Sequence, residues 1–239
     1  MISVTICDKQ YNIPEEGNLL KTLHKIKTTQ NNSLTYRSGC RSGVCGSCAV
    51  RVNGVEKLAC KTTIKAGDCV EPLKNIHIIK DLVVDLSNQK LSLNMAFANL
   101  EEKSDAIITP QDEKSIDLQS NCILCNSCYS SCPIYEVNKE FIGPFALTRA
   151  YRYVNDKKEN KIQHKIDSVQ KNGIWDCTLC GNCNMVCPEH IDIKNDIMML
   201  RNKSAQLGYT DPNMGNFDSG FDTNLDFINQ DLSSYGFNP

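Results

Sequence analysis

The residues with the clearest capacity for chemistry in this sequence are its cysteines. The chain holds 14 cysteines among 239 residues, and all except Cys7 and Cys69 lie in three short clusters. Thiolates bind iron–sulfur clusters and structural zinc, and cysteines form disulfides in oxidising compartments. The spacing within each cluster indicates which of these chemistries the sequence supports.

The first cysteine cluster has the spacing of a plant-type [2Fe–2S] site, C-x4-C-x2-C followed by a more distant cysteine. Gly39, Gly43 and Gly46 permit a tight loop whose backbone N–H groups turn toward sulfur and help to set the reduction potential. The alternative is a zinc site, which usually pairs two C-x2-C motifs. The predicted ligands of the [2Fe–2S] cluster are Cys40, Cys45, Cys48 and Cys60.

Two further cysteine clusters repeat the run C-x2-C-x2-C-x3-C-P at a separation of 55 residues. In two-cluster bacterial ferredoxins the fourth cysteine of each run ligates the other cluster, so the sequence predicts two [4Fe–4S] sites with exchanged fourth ligands. The alternative is a zinc site or a redox dithiol. The first predicted site is formed by Cys122, Cys125, Cys128 and Cys187, and the second by Cys132, Cys177, Cys180 and Cys183. Three clusters in one small chain indicate an electron relay.

The remaining residues form no second chemical site that the sequence can reveal. None of the four histidines belongs to a paired-ligand pattern, so no Rieske centre is predicted. They are His24, His77, His164 and His190. No dinucleotide-binding GxGxxG, P-loop or Ser/His/Asp arrangement is found, so we expect no catalytic residue in this chain. Cys7 and Cys69 are expected to be buried small apolar residues of a sheet, and Trp175 either shields a cluster or packs in the core.

The composition is that of a globular protein without a dedicated nucleic-acid surface. Hydrophobic residues make up 41% and charged residues 23%, and 26 Lys and Arg stand against 28 Asp and Glu, for a net charge of −2. The first residues, MISVTICDKQ, carry no signal-peptide pattern, and no run of 18 apolar residues occurs. We therefore expect a protein of a reducing compartment, soluble or peripheral to a membrane, with metal clusters rather than disulfides.

The elements that must position the first cluster lie in the first 100 residues, which are β-rich with one helix. Residues 2–6 alternate between apolar and polar and can pair with residues 11–13. Residues 19–26 have helical apolar spacing, and Asn18 is placed to cap that helix. A hairpin over residues 49–60 is predicted by its central Asn-Gly pair, which supplies the positive φ angles of a two-residue type I′ turn.

The second half of the chain is predicted to be helical. A polar linker covers residues 91–119, and helical segments then lie between the cysteine clusters. These segments are 143–154, 161–171 and 193–206. The sequence thus predicts a [2Fe–2S] domain with the start of a linker over 1–100, a helical two-cluster domain over 101–205 and a tail over 206–239.

The tail combines acidic residues with aromatic ones. It contains five Asp, no Lys or Arg, and six aromatics. The aromatics are Tyr209, Phe217, Phe221, Phe227, Tyr235 and Phe237. A disordered tail is the alternative, but aromatic side chains are stabilised when they are buried against a partner. We expect an irregular segment that becomes ordered by docking on a partner subunit.

Four stretches of the sequence are similar to stretches typical of one family. RSGCRSGVCGSCAVRVNG, LACKT, CILCNSCYSSCP and FIGPFALTRAYRYVND resemble the iron–sulfur subunits of succinate dehydrogenase and fumarate reductase, and the similarity covers residues 1–204. The resemblance implies an α+β architecture, with an N-terminal plant-type ferredoxin β-grasp domain followed by a helical bacterial-ferredoxin-like domain. It also implies docking on a flavoprotein that carries FAD and the dicarboxylate site, with the [2Fe–2S] cluster nearest the flavin, and on a membrane subunit that handles quinone.

The sequence departs from the commonest members of that family in its last cysteine run. Those members hold a [3Fe–4S] cluster because another residue replaces the second cysteine, whereas this chain has Cys180 there. It also has Tyr135 and Glu136 soon after the first C-P and Thr178 after Cys177, in place of the family's quinone-site aromatics and histidine. The complete run resembles the branch whose anchor subunit carries CCG motifs, which leaves quinone or a thiol/disulfide couple as the acceptor.

Several assignments remain alternatives at the level of sequence. The resemblance implies a non-catalytic electron-transfer subunit of a succinate:quinone oxidoreductase or fumarate reductase, held on the inner face of the cell membrane through a partner. Export together with a signal-bearing partner is the alternative location. The alternative functions are a subunit of another flavin dehydrogenase, a free ferredoxin-like carrier and a structural zinc protein. No nucleic-acid partner and no membrane span of its own are expected.

Overall fold

The computed structural model describes residues 1–14 and 17–213, and its N-terminal part is a mixed β-sheet covered by one helix. The five-stranded sheet has the order β2-β1-β5-β3-β4, in which β1 and β5 are parallel and the other pairs are antiparallel. A separate hairpin pairs β6 with β7. The strands are β1 (Ile2–Ile6), β2 (Lys9–Ile13), β3 (Ala49–Val52), β4 (Val55–Leu58), β5 (Cys69–Glu71), β6 (Ile78–Lys80) and β7 (Val83–Val84).

The helix over the sheet, α1 (Leu19–Thr29), forms where its apolar spacing predicts it. Its apolar residues Leu19, Leu23 and Ile26 are buried against the sheet. Asn18 caps the helix, because its side chain accepts a hydrogen bond from the Lys21 backbone N–H at 3.0 Å. The amide of the same side chain donates to the Cys60 carbonyl at 2.8 Å and thus ties the helix start to a predicted ligand.

The hairpin between β3 and β4 also confirms its prediction. Asn53 and Gly54 have φ angles of 53° and 80°, as a type I′ turn requires. The Asn53 side chain accepts from the Cys69 backbone N–H and donates to Asp68, each at 2.8 Å. These contacts fasten the turn to β5, so the hairpin that follows the first cysteine loop is firmly held.

The C-terminal part is helical and has its own core. The 11-residue helix α7 lies at its centre, where Phe145, Ala146 and Leu147 are buried, and α10 packs along it. An irregular turn over Gln170–Ile174 follows α8, so the helix predicted over 161–171 ends earlier than expected. The helices are α2 (Ser87–Met95), α3 (Pro110–Lys114), α4 (Asp117–Ser120), α5 (Ser127–Ser130), α6 (Pro133–Val137), α7 (Pro144–Val154), α8 (Ile162–Ser168), α9 (Asn182–Met185) and α10 (Ile193–Gln206).

Polar contacts join the two parts of the chain. The buried Ser130 hydroxyl donates to Glu56 at 2.6 Å and accepts from the Lys74 backbone N–H at 2.8 Å. The Asn75 side chain donates to the Ser130 and Cys132 carbonyls at 3.0 and 3.3 Å. These hydrogen bonds fasten the first half of the chain to the segment around Ser130 and Cys132.

Three expectations about individual segments need comment. Cys7 and Cys69 are half-buried rather than buried, since Cys7 lies in the β1–β2 turn with a φ of 46° and Cys69 begins β5. Of the tail, residues 214–239 lie outside the described residues, so the docking expectation is untested there. Tyr209, which is described, packs against the second core and donates to Asp167. In the described ranges, no helix has the length and apolar character needed to cross a bilayer.

Candidate iron–sulfur sites

The first cysteine loop runs over the surface between α1 and β3. Cys40 and Cys45 are exposed, whereas Cys48 and Cys60 are buried beneath them. The backbone N–H of Cys40 donates to Cys45 Sγ at 3.3 Å, and the N–H groups of Ser42 and Val44 donate to Cys40 Sγ at 3.4 and 3.3 Å. Such donors stabilise sulfur that carries negative charge, as in a thiolate bound to iron.

The electrostatics of this loop differ between its exposed and buried sides. Hydrogen bonds from the side chain and backbone of Ser42 lower the pKa of Cys40 to about 6. Burial raises the pKa of Cys48 to about 11. A Cβ atom at Gly39 would lie 2.8 Å from Cys45 Sγ, so only glycine leaves the space that the sulfur occupies. The loop therefore fits a group that is bound by thiolates and partly open to solvent.

The second set of cysteines surrounds a cavity inside the helical part. The cavity is small, with a volume of about 20 Å³, and its apolar walls include Phe145, Ile191 and Ile193. The thiols that line it are Cys122, Cys125, Cys128 and Cys187. Burial raises the pKa values of Cys122, Cys125 and Cys128, and that of Cys122 reaches about 11. The charge of Cys187 adds to the rise at each of these three thiols.

The third set lies beside the second and is more open. Burial raises the pKa of Cys183 to about 12, and the charges of Cys177, Cys132 and Cys180 add to that rise. Cys180 is exposed, whereas Cys132 and Cys183 are buried. The structure thus brings Cys187 to the first cysteine run and Cys132 to the second run, which is the exchange that the spacing predicts.

Thiols buried in this way need a compensating positive charge to ionise. A bound metal supplies that charge and deprotonates its thiol ligands. Backbone N–H groups also reach the sulfurs of both sets, from Tyr135 to Cys132 and from Ile191 to Cys187, each at 3.4 Å. In the described ranges no three Cys, His, Asp or Glu side chains meet at one metal-ion position. The residues present fit iron–sulfur groups held by four thiolates each.

The two ferredoxin-type runs share one backbone conformation. Leu124 and Leu179, 55 residues apart, have φ angles of 53° and 55°, which are uncommon for leucine. Asn126 and Gly181, also 55 residues apart, have φ angles of 64° and 82°. Each run also contains a short helix, α5 or α9. The internal repeat seen in the sequence is therefore a structural repeat.

Sequence reasoning missed two arginines near the predicted [4Fe–4S] ligands. Arg201 of α10 donates to the Cys177 carbonyl at 2.6 Å and to the Ile174 carbonyl at 2.8 Å, and its charge opposes the pKa rise that burial causes at Cys177. Arg149 of α7 has the same effect on Cys122, and its Nε is buried without a hydrogen-bond partner in the described residues. Cysteine spacing carries no signal for either residue, because both come from distant helices.

Trp175 and His164 make contacts that hold the fold together. The Trp175 indole N–H donates to Gln170 at 2.8 Å, and Arg201 lies over its ring. His164 contacts Glu101 at 2.9 Å, and its ring packs at a tilt against that of Phe97. Trp175 thus packs beside the third set of cysteines, on the second core.

Two models of known domain families match this chain. A 2Fe-2S iron-sulfur cluster binding domain matches residues 5–90, and a 4Fe-4S dicluster domain matches residues 119–191. The fumarate reductase iron-sulfur subunit of Escherichia coli is 38% identical over 194 residues, which are 76% of this chain and 80% of that protein. The fumarate reductase (CoM/CoB) of Methanothermobacter marburgensis has a chain that is 33% identical over 205 residues, covering 84% of this chain and 41% of that one.

The fold of this chain is similar to that of a solved structure. A chain of the Mycobacterium smegmatis Sdh1 complex in the apo form superposes with a TM-score of 0.76 at 21% identity, covering 87% of this chain and 97% of that one. The expected fold class, a ferredoxin β-grasp domain followed by a helical ferredoxin-like domain, is confirmed. So is the expected role as an electron-transfer subunit of an oxidoreductase. The chain belongs to the family of iron–sulfur subunits of fumarate reductase and succinate dehydrogenase.

Proposed function

We propose that this chain relays electrons through one [2Fe–2S] and two [4Fe–4S] clusters between a flavoprotein partner and a membrane-associated partner. The flavoprotein would carry FAD and interconvert succinate and fumarate. The observation that carries the proposal is the order in which the three thiol sets lie next to one another in space. Cys45 and Cys48 line the same pocket as Cys125, and Cys128 lies close enough to Cys183 for the charge of Cys183 to raise its pKa.

The proposed ligands follow the sequence prediction. Cys40, Cys45, Cys48 and Cys60 would hold the [2Fe–2S] cluster. Cys122, Cys125, Cys128 and Cys187 would hold the middle [4Fe–4S] cluster, and Cys132, Cys177, Cys180 and Cys183 the distal one. We retain the domain division 1–100, 101–205 and 206–239, and note that Leu93, Ala96 and Ala98 already pack with the second core.

The two ends of this series are accessible, as a relay requires. At one end Cys40 and Cys45 are exposed, and Val44 between them is 67% exposed. At the other end Cys180 is exposed, whereas the middle set has no exposed cysteine: Cys128 is buried and its three partners are half-buried. A series whose two end sets each contain an exposed cysteine supports a relay between two partners rather than a carrier with one docking face.

The residues of this chain would control how readily each site accepts an electron. Each cluster, when bound, takes up and releases one electron at a time. The N–H donors to Cys40 and Cys45 stabilise the more negative, reduced form of the first site. Arg149 and Arg201 place positive charge near Cys122 and Cys177, which favours reduction of the two other sites. The burial of thiols in the middle set disfavours added negative charge and so opposes that reduction.

The distal partner is proposed to be a CCG-type anchor subunit, with quinone as the acceptor. The complete last cysteine run supports this partner type. A thiol/disulfide couple is the second candidate, because one relative is by name a CoM/CoB fumarate reductase. We place the assembly on the inner face of the cell membrane, or outside it if a signal-bearing partner is exported with this chain. The proteins that co-purify with it distinguish these alternatives.

The cluster content can be tested on the purified complex. We expect about ten iron atoms per chain, from one [2Fe–2S] and two [4Fe–4S] clusters. Because a [3Fe–4S] distal cluster would lower this by only one, electron paramagnetic resonance (EPR) of the oxidised protein is the deciding measurement. A [3Fe–4S] signal near one spin per chain that is not caused by oxidative damage would overturn the assignment, and a colourless zinc protein would overturn all three sites.

Replacing Cys180 with serine should alter the distal cluster alone. Cys180 is exposed and belongs to only one thiol set, so the two other ligand sets stay complete. We expect a [3Fe–4S] EPR signal to appear and the potential of that site to change, since cluster type and charge both set the potential. Cys69→Ser, at a cysteine outside every set, is the control and should change nothing. Loss of the [2Fe–2S] signal in Cys180→Ser would refute the partition of ligands.

A further inference from the structure

Gly46 is the point at which the first cysteine loop meets the second. It lies between Cys45 and Ser47 and has a φ of +67°, which favours glycine. A Cβ atom at this position would lie 2.8 Å from the Ile123 carbonyl oxygen. It would lie 2.9 Å from Cβ and 3.0 Å from Cα of Cys125. These atoms belong to the backbone or its first side-chain carbon, so they cannot rotate out of the way.

The other glycines of the same loop have different neighbours. A Cβ at Gly39 would meet Cys45 and Ser47, which belong to its own loop. A Cβ at Gly43 would meet the far end of the Lys61 side chain, which can move. Gly46 differs because its close neighbours belong to the helical half of the chain. Its lack of a side chain therefore governs the fit between the two loops as well as the shape of one of them.

Other contacts hold the second loop against this point. The Gln89 side chain donates to the Leu124 carbonyl at 2.6 Å. Ile123 and Cys125 pack against the core of the first half. The hydrogen bond from Gln89 and the packing of Ile123 and Cys125 thus hold the second loop close to Gly46.

We propose that Gly46 is a positioning residue that sets the closest approach of the first and middle clusters. This inference rests on the proposed ligand sets, in which Cys45 and Cys125 bind neighbouring clusters. A short connection between the clusters then runs from Cys45 through the adjacent Gly46 and across one van der Waals contact to Cys125. Any side chain at residue 46 must widen that gap, which weakens electron exchange between the clusters.

The test compares Gly46→Ala with Gly67→Ala in the whole purified complex. Gly67 has a φ of +82° and nothing within 4 Å of an added Cβ, so its variant reproduces the backbone strain without the clash. The readout is EPR of the fully reduced protein. Two nearby paramagnetic clusters speed each other's spin relaxation, and this effect falls steeply with distance. We expect the relaxation enhancement of the [2Fe–2S] signal to be measurably smaller in Gly46→Ala than in the wild type, and to be unchanged in Gly67→Ala.

Integrated signal intensities separate this inference from the function on which it rests. If wild-type protein lacks either paramagnetic cluster, the proposed ligand sets fail. If Gly46→Ala contains both clusters at wild-type intensity and keeps the full enhancement, the positioning role of Gly46 is overturned. If Gly46→Ala loses a cluster, Gln89→Ala decides, because it releases the Leu124 loop without adding atoms. A reduced enhancement in that variant supports the inference, and an unchanged one overturns it.

Discussion

Replacing Cys48 with alanine is expected to abolish electron transfer from the dicarboxylate site to the distal acceptor while leaving that site able to bind and react. Cys48 is buried at the end of the first loop, immediately before β3 begins. Without this thiolate the [2Fe–2S] cluster loses a ligand, and the relay loses the site proposed to lie nearest the flavin. Succinate should still reduce the FAD of the partner, but quinone-linked turnover should fall to background.

The matched control is Cys69→Ala, a half-buried cysteine on the same sheet that belongs to no ligand set. Turnover with a dye that accepts electrons from the flavin should survive in both variants, whereas turnover with the distal acceptor should survive only in the control. EPR must show that Cys48→Ala has lost the [2Fe–2S] signal and kept the other two. Normal distal turnover in a variant without that signal would rule out a serial relay.

The sequence predicts well those features that depend on neighbouring residues. Cysteine spacing predicts three thiol sets, and the structure places Cys187 beside Cys122, Cys125 and Cys128 in the lining of one cavity. Asn18 and the Asn53-Gly54 pair work over a few residues, and both form as predicted. The exchange of Cys132 and Cys187 is a long-range feature, but it is predictable because the repeat of the two runs imposes a pseudo-two-fold arrangement.

Features that depend on the packing of distant segments could not be predicted. The contact of Gly46 with Cys125 requires knowing how two loops approach, and a glycine in a cysteine loop is already explained by the loop alone. Arg149 and Arg201 are single positions on helices whose rotation is set by core packing. Burial of Cys7 would require the first strand to extend to it, but its positive φ places it in the turn.

The second large effect is expected from a substitution of Lys165, which should lower the stability of the fold without changing electron transfer. Its side chain is fully buried on α8, where Nζ donates to the Phe97 and Asn99 carbonyls at 2.8 and 2.6 Å. It also pairs with Glu101 and Glu159, each at 3.0 Å. One ammonium group thus fastens the segment that leaves α2 to the helical core beneath it.

Replacing Lys165 with methionine keeps much of the volume and removes the charge. The Glu159 side chain, which is fully buried, then keeps its backbone donors but loses its counter-charge. Breaking one partner of a buried ion pair costs roughly 3–5 kcal/mol of unfolding free energy. At about 2–4 °C for each kcal/mol in a chain of this size, the thermal midpoint should fall by roughly 6–20 °C at a fixed scan rate. All three clusters should still assemble at low temperature, because no proposed ligand contacts Lys165.

Two comparisons distinguish lost pairing from lost packing at Lys165. Lys161→Met removes an ammonium that pairs with Glu102 at the surface, 2.9 Å away, and should shift the midpoint little because solvent screens that pair. Adding Glu159→Gln to Lys165→Met removes the uncompensated buried charge, so the double variant should recover part of the loss. A double variant that is less stable than Lys165→Met would show that the single variant fails through packing around the methionine. A single variant that melts with the wild type would show that the buried ion pair does not hold this segment in place.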